Sequence, residues 1–212
     1  MSYVFGLLFA DGGIEDVRNS SRTCYIHLWN KDKSLIEQVR DVLSSNHSIY
    51  VRKPRAFSIE GRTCYAGEIF YLRIGNKMMY QDLLEKGLSP RKSLIMSLPF
   101  VPKHYFHFFL RGYFDGDGCV SLTKQKDRSA IRLRVVFTSG SFTFLNQLAE
   151  RLQSLLQFKP KNIYSESRAF NLKYSKREGL KILDYMYNDS DKSPYLKRKY
   201  EIYRSFIESC RL

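Results

Sequence analysis

Long apolar runs are missing from this chain of 212 residues. No window approaches the roughly 18 consecutive apolar residues that a membrane-crossing helix needs. The opening MSYVFGLLFADGG carries an acid where a secretory leader would need its cleavage site. Both absences point to an intracellular protein, cytoplasmic or in an organellar matrix, that is not secreted and meets no membrane. Cysteine is sparse and scattered: Cys24, Cys64, Cys119 and Cys210 stand singly, with no C-x-x-C pair. That excludes a zinc-finger spacing and gives no sign of a disulfide framework. His104 and His107 lie close in sequence but have no further zinc ligands around them. Acidic residues are also short, 21 against 35 basic ones, a net charge of +14 that makes a polyanion the natural partner. Against these shortages, 43% of the residues are hydrophobic, which rules out a disordered chain. The length leaves room for one large or two compact domains.

One stretch occurs twice. Phe5-Gly6-Leu7-Leu8-Phe9-Ala10-Asp11-Gly12 returns as Arg111-Gly112-Tyr113-Phe114-Asp115-Gly116-Asp117-Gly118, with Gly6, Asp11 and Gly12 each 106 residues before Gly112, Asp117 and Gly118. Each copy reads as an apolar helix closed by a glycine able to take the left-handed conformation. An aspartate in a last turn faces the negative end of the helix dipole, where a carboxylate is unwelcome. Gly6, Ala10, Gly112 and Gly116 would let the two helices pack backbone to backbone. That packing would bring Asp11 and Asp117 together, and like charges so placed raise each other's pKa unless a cation intervenes. A hard divalent ion, taking the two carboxylates and backbone carbonyls, would resolve the conflict.

On these motifs the chain resembles the LAGLIDADG homing endonucleases, in the form with two motifs on one chain. GYFDGDG is a close match. GLLFADGG departs at Phe9, where the second copy has Asp115, but keeps the terminal acid that the family uses to bind metal. The resemblance extends over nearly the whole chain.

The intervening segments repeat in order. Strands are expected at 13–18 and 23–29 around a polar turn, followed by a helix beyond Asp32 with Leu35, Ile36, Val39, Val42 and Leu43 at amphipathic spacing. Strands at 49–55 and 64–74 and a helix over 77–85, stopped by Gly87, complete the first half. The second half has strands at 119–124 and 131–138, a helix over 142–156, strands at 161–165 and 169–174, and helices over 175–188 and 193–210. Phe144, Leu145, Leu148 and Leu152 match Leu35, Ile36, Val39 and Leu43, and Leu172-Lys173 matches Leu72-Arg73. The fold is therefore expected to be α+β: two pseudo-symmetric αββαββα halves whose helices cover antiparallel sheets, forming a saddle for DNA. The halves would span 1–88 and 103–212, joined by a linker at 89–102 marked by Pro90, Pro99 and Pro102.

Strand alternation puts Ile131, Leu133, Val135 and Phe137 on one face and Arg132 and Arg134 on the other. Arg73 and Lys173 fall likewise on the open faces of their strands. With Arg52, Lys53, Arg55, Lys124, Lys126 and Arg128 at strand ends and turns, these faces form an electrostatic footprint for a duplex, and Arg18, Arg22, His27, Lys161 and Arg168 are grouped with them. A β-ribbon fits the major groove, where side chains read base edges, while cations at turns contact phosphates.

The resemblance implies a Mg²⁺-dependent phosphodiester hydrolysis. Asp11 and Asp117, with the backbone carbonyls of Ala10 and Gly116, would hold the metal, a site that Mn²⁺ or Ca²⁺ could also occupy. It further implies that Lys92 and Lys199, which follow Asp11 and Asp117 by 81 and 82 residues, stabilise the scissile phosphate. Asn30 and Ser139 would order the attacking water. The two-motif form implies a monomer that cuts both strands of a long asymmetric double-stranded target, leaving 3′ overhangs. Two alternatives share the scaffold: a maturase acting on its host intron RNA, and a DNA-binding regulator without catalysis.

Overall fold

The computed structural model describes residues 1–19, 24–59, 61–125, 128–166 and 168–210. Its centre is a pair of helices, α1 (Ser2–Ala10) and α4 (Phe106–Asp117), whose apolar side chains are almost all buried. Neither is a surface helix with one wet face, because each packs against its twin as well as its own sheet. Two glycines set the spacing. A Cβ built on Gly6 would stand 2.0 Å from the Phe109 carbonyl oxygen, and one on Gly112 would stand 2.0 Å from that of Tyr3. Any side chain at either position would drive the helices apart.

From α1 the chain enters β1 (Gly12–Ile14) and returns as β2 (Tyr25–Asn30). Then come α2 (Lys33–Val42), β3 (Ile49–Arg52), β4 (Arg55–Ile59), β5 (Arg62–Ala66), β6 (Ile69–Gly75) and α3 (Lys77–Glu85). After α4 the second half runs β7 (Gly118–Gln125), β8 (Arg128–Ser139), α5 (Phe142–Leu156), β9 (Ile163–Glu166), β10 (Ala169–Ser175), α6 (Lys176–Tyr187) and α7 (Lys197–Ser209). The two main sheets are antiparallel with matching orders, β1-β2-β6-β3 and β7-β8-β10-β9. Leu28 pairs with Leu72 in one, Phe137 with Leu172 in the other. Those partners are the positions the sequence repeat equates, so the α+β architecture of two pseudo-symmetric halves is observed down to residue register.

Local chemistry explains the helix limits. Asp32, Asn76 and Ser141 cap α2, α3 and α5, each accepting a hydrogen bond from the backbone N–H three residues on. Gly87, at φ +89°, ends the α3 region in the left-handed conformation.

Several expectations are corrected. Gly12 and Gly118 are not left-handed caps, since among the described residues only Gly61 and Gly87 are glycines with positive φ. They start strands that turn back over the helix just left, and a Cβ on Gly12 would meet the Leu8 side chain at 2.6 Å, one on Gly118 the Phe114 ring at 2.1 Å. Glycine is needed there for room, not for dihedral freedom. The strand expected over 13–18 is only Gly12–Ile14, followed by a short 3-10 turn (Val17–Asn19). The strands expected at 49–55 and 64–74 each break in two, and their outer parts pair as a separate ribbon of β4 and β5. Val42 is exposed rather than core, because α2 ends there. Apart from these corrections, the 89–102 segment adds Met96 and Val101 to the core and buries Lys92. No helix among the described residues is long and apolar enough to cross a membrane.

Candidate active site and nucleic-acid interface

Close approach of α1 and α4 delivers their C-terminal ends to a common seam. There a Cβ on Gly116 would lie 2.4 Å from the Ala10 Cβ and 3.2 Å from the Asp11 Cγ, so Asp11 sits directly over the last turn of the other helix. Burial pushes the Asp11 carboxyl above the ordinary carboxylate range. Asp117 is pushed up to about 6, chiefly by burial and then by the Asp11 charge across the seam. The two carboxylates differ in support. Asn30 Nδ2 donates to Asp11 Oδ2 at 2.8 Å, and Asn30 Oδ1 accepts from the Asp32 N–H at 2.9 Å, which fixes the amide. Asp117 accepts no hydrogen bond among the described residues, which leaves a part-buried carboxylate without a partner.

Ser139, at the strand position equivalent to Asn30, does not reach Asp117. Its Oγ accepts the Ser141 N–H at 3.0 Å, tightening the turn into α5. Lys92 and Lys199 do come to the seam, from beneath. Lys92 Nζ donates to the carbonyls of Ala10 (3.1 Å) and Gly12 (2.7 Å). Lys199 Nζ donates to those of Phe114, Asp115 and Gly118. An ammonium has three N–H donors, so Lys199 is saturated by protein while Lys92 has one N–H over. Each cation binds the carbonyl end of a motif helix, where the dipole is negative, and so offsets the field opposing Asp11 and Asp117. Burial holds the Lys92 ammonium below its usual value and pushes Lys199 down to about 8.

Hard oxygen donors converging here suit a divalent cation better than a soft metal. No cluster of three or more His, Cys, Asp or Glu occurs among the described residues, so such an ion would draw on carbonyl and phosphate oxygens beside the two carboxylates. The Ala10 carbonyl is already shared with Lys92; that of Gly116 takes no bond from Lys199.

One functional residue lay outside the sequence expectations. Asp115, replaced by Phe9 in the first motif, is buried and accepts bonds from Tyr3 OH (2.7 Å) and the Leu196 N–H (2.8 Å). Leu196 is the N-cap of α7, so Asp115 anchors the helix that carries Lys199. Burial, opposed first by the Tyr3 bond, pushes its carboxyl up to about 6. The arginine one turn earlier, Arg111, is fully buried and donates to the carbonyls of Met186 (3.0 Å) and Ser193 (3.2 Å).

The sheet faces opposite the helices are open, as the alternation implies: Leu133, Val135 and Phe137 are buried while Arg132 and Arg134 are exposed. Arg52, Lys53, Arg55 and Arg168 are exposed too, and none of these six makes an ion pair among the described residues. Others are already engaged by acids. Arg73 grips Glu15 through Nε (2.7 Å) and Nη2 (2.8 Å), Arg18 pairs with Asp16, Lys173 with Glu166 and Lys161 with Glu178. His27 is half-buried, its ring lying across Gly13, and burial lowers its pKa. Arg22 and Lys126 lie outside the described residues, as do the side chains of Lys124 and Arg128. Between Arg132, Arg134, Lys161, Tyr164 and Lys173 runs a groove of about 800 Å³ on the open face of the second sheet.

A family model described as the LAGLIDADG-like domain matches residues 1–86 and 108–181. Among solved structures, the chain is similar to mesophilic variants of the homing endonuclease I-DmoI, at 15% identity over 89% of this chain and 94% of that one, with a TM-score of 0.57. It is also similar to the LAGLIDADG meganuclease I-AabMI bound to uncleaved DNA, at 15% identity over 98% of this chain and 89% of that one, TM-score 0.57. For I-DmoI in complex with DNA and Mn the values are 18%, 87% and 94%, TM-score 0.56, and another I-DmoI complex holds DNA and Ca. At such identities the likeness shows the fold. No curated protein matches the sequence.

Proposed function

This chain belongs to the LAGLIDADG family, in its form with two motifs on one chain, and from that premise we propose that it is a site-specific, metal-dependent double-strand DNA endonuclease acting as a monomer. The observation that carries the reading is the seam, where two crossed helix ends present Asp11 and Asp117 side by side between two open, basic sheet faces. A duplex laid across those faces would bring its backbone to the carboxylates. A divalent cation held by Asp11 and Asp117, Mg²⁺ by preference with Mn²⁺ and Ca²⁺ as substitutes, supplies Lewis-acid charge at the attacked phosphate and a more acidic water.

The chain's own residues hold the geometry. Asn30 orients the Asp11 carboxylate. Lys92 and Lys199 neutralise the helix ends, and the remaining Lys92 N–H offers a donor toward a phosphate oxygen. Exposed Arg52, Lys53, Arg55, Arg132, Arg134 and Arg168 contact phosphates or base edges. The engaged cations Arg73, Lys161 and Lys173 keep acids from facing the duplex alone. The division at 89–102 separates the half-sites read by the two sheets.

The test is selection of cleaved duplexes from a randomised library in Mg²⁺, repeated with EDTA and with Asp117→Asn. Cutting is expected only with wild-type chain and metal, while the variant still binds. Cutting that survives Asp117→Asn removes the seam from the chemistry. Duplex binding with no cutting under any ion makes the protein a regulator, and selective binding of intron RNA makes it a maturase.

A further inference from the structure

The open face of the first sheet carries three aromatic rings in one cross-strand row. Trp29 on β2 pairs with Tyr71 on β6, which pairs in turn with Tyr50 on β3. The Trp29 and Tyr71 rings stack with centroids 4.2 Å apart and planes 20° from parallel; Tyr71 and Tyr50 stack at 5.0 Å and 21°. These separations match the spacing between neighbouring strands, roughly 4.8 Å. Rings lying flat on a sheet at that spacing would collide edge to edge, so these stand upright, face against face, with their rims toward solvent. The row begins beside the seam, because Trp29 precedes Asn30, whose amide holds Asp11. It ends on the edge strand at Tyr50, which is 50% exposed, and the Arg52 guanidinium lies 5.8 Å from the Trp29 centroid.

Upright rings disfavour one use and favour another. Unpaired bases are held by aromatic faces, and here both faces of Tyr71 and the inner faces of Trp29 and Tyr50 are spent on one another, leaving only the two outer faces of the row. A ridge of apolar rims tipped with tyrosine hydroxyls instead suits the floor of a major groove. Thymine presents there the only methyl group, beside its O4 acceptor, which matches an apolar rim beside a hydroxyl donor. The equivalent row of the second sheet is Thr138, Asn171 and Tyr164. In it Thr138 Oγ1 donates to Asn171 Oδ1 at 2.8 Å and no rings stack.

We propose that the Trp29–Tyr71–Tyr50 stack reads thymine methyl groups in the half-site bound by the first sheet, close to the cleavage point, and that the second sheet has no such preference. This rests on the duplex-cleaving function above. The full chain is used in EDTA to select bound duplexes from a randomised library. One flank of the selected site is expected to be thymine-rich near its centre. Replacing those thymines by deoxyuridine, which removes only the methyl, should weaken binding about fourfold per methyl. Trp29→Thr with Tyr71→Asn, which installs the second sheet's pair, should abolish both the preference and the deoxyuridine effect on that flank alone. Tyr50→Asn, at an exposed edge where folding is not at stake, should reduce them. Deoxyuridine without effect on the wild-type chain, or a preference for single-stranded oligonucleotides, overturns the proposal while leaving the nuclease reading intact. Absence of any bound duplex overturns both.

Discussion

The two halves share a backbone and differ in what holds the aspartate ends of their motif helices. In the first, Asp11 is steered by Asn30, Lys92 has an N–H to spare, and the motif helix faces its twin with Phe5 and Phe9. In the second, Asp117 has no donor among the described residues, Lys199 is saturated by three carbonyls, and Arg111 and Asp115 stand at the positions of the phenylalanines. The first half thus spends polar groups on the carboxylate, the second on its scaffold. Buried charges are costly unless bonded, and Tyr3, Leu196, Met186 and Ser193 meet most of that need in the second motif helix, leaving Arg111 Nε and Asp115 Oδ1 without a partner among the described residues. Symmetry is strict where backbones touch and relaxed wherever a side chain can find a different partner.

The strict part should break first. Gly6→Ala and Gly112→Ala should each destabilise the fold by about 3 kcal/mol, the upper range for overpacking, and by similar amounts, since both meet a carbonyl oxygen at 2.0 Å. Urea denaturation measures this, and a mild effect at one site would mean the crossing is less symmetric than its geometry. Next, Asp115→Ala should cost about 2–3 kcal/mol by stranding Tyr3 OH and the Leu196 N–H, and should loosen α7 in hydrogen exchange. Phe9→Leu, at the matching position, should stay under about 1.5 kcal/mol; equal costs would deny the second half its extra anchor.

A third contrast is kinetic. On the proposed nuclease function, Asn30→Ala should slow cleavage about tenfold, the equivalent of roughly 1.4 kcal/mol, whereas Ser139→Ala should act on stability through the α5 turn and leave the single-turnover rate of the folded protein close to wild type. The smallest effect concerns the Arg73–Glu15 pair. Arg73 holds the Glu15 carboxyl below its usual value of 4.5. A depressed folded-state pKa contributes stability above the unfolded value and loses it as pH falls through the folded one. Arg73→Ala should therefore cost no more than about 1 kcal/mol at pH 7 for so exposed a pair, and nothing once the medium is acid enough to protonate Glu15 in both proteins. A difference that persists in strong acid would place the contribution of Arg73 in its stacking over Tyr25, 3.5 Å from the ring centroid.

Much of this was legible in the residues. The interval between Gly6 and Gly112, the alternation around Arg132 and Arg134, and the apolar spacing common to the α2 and α5 regions report helix packing, an open sheet and a duplicated core. Each is a local pattern read at a period of two or 3.6. The β4–β5 ribbon was missed because alternating strands give no sign of a break unless the chain bends, and Lys53-Pro54 and Gly67-Glu68 carry that bend only in retrospect. The Trp29, Tyr71 and Tyr50 stack was out of reach for a different reason. Alternation could place each ring on the open face, but which rings meet depends on register between strands up to some forty residues apart.

Sequence alone determined the family, the duplicated architecture and the two aspartates that close the motif helices, because repetition at a fixed interval survives without coordinates. Only the folded chain decided which groups those aspartates meet: Asn30 for one, none among the described residues for the other, and lysines that bind carbonyls beneath them. Hydrogen bonds of a few ångströms between residues eighty positions apart are set by how the helices and sheets come to rest on one another, and no local pattern in the chain encodes that distance.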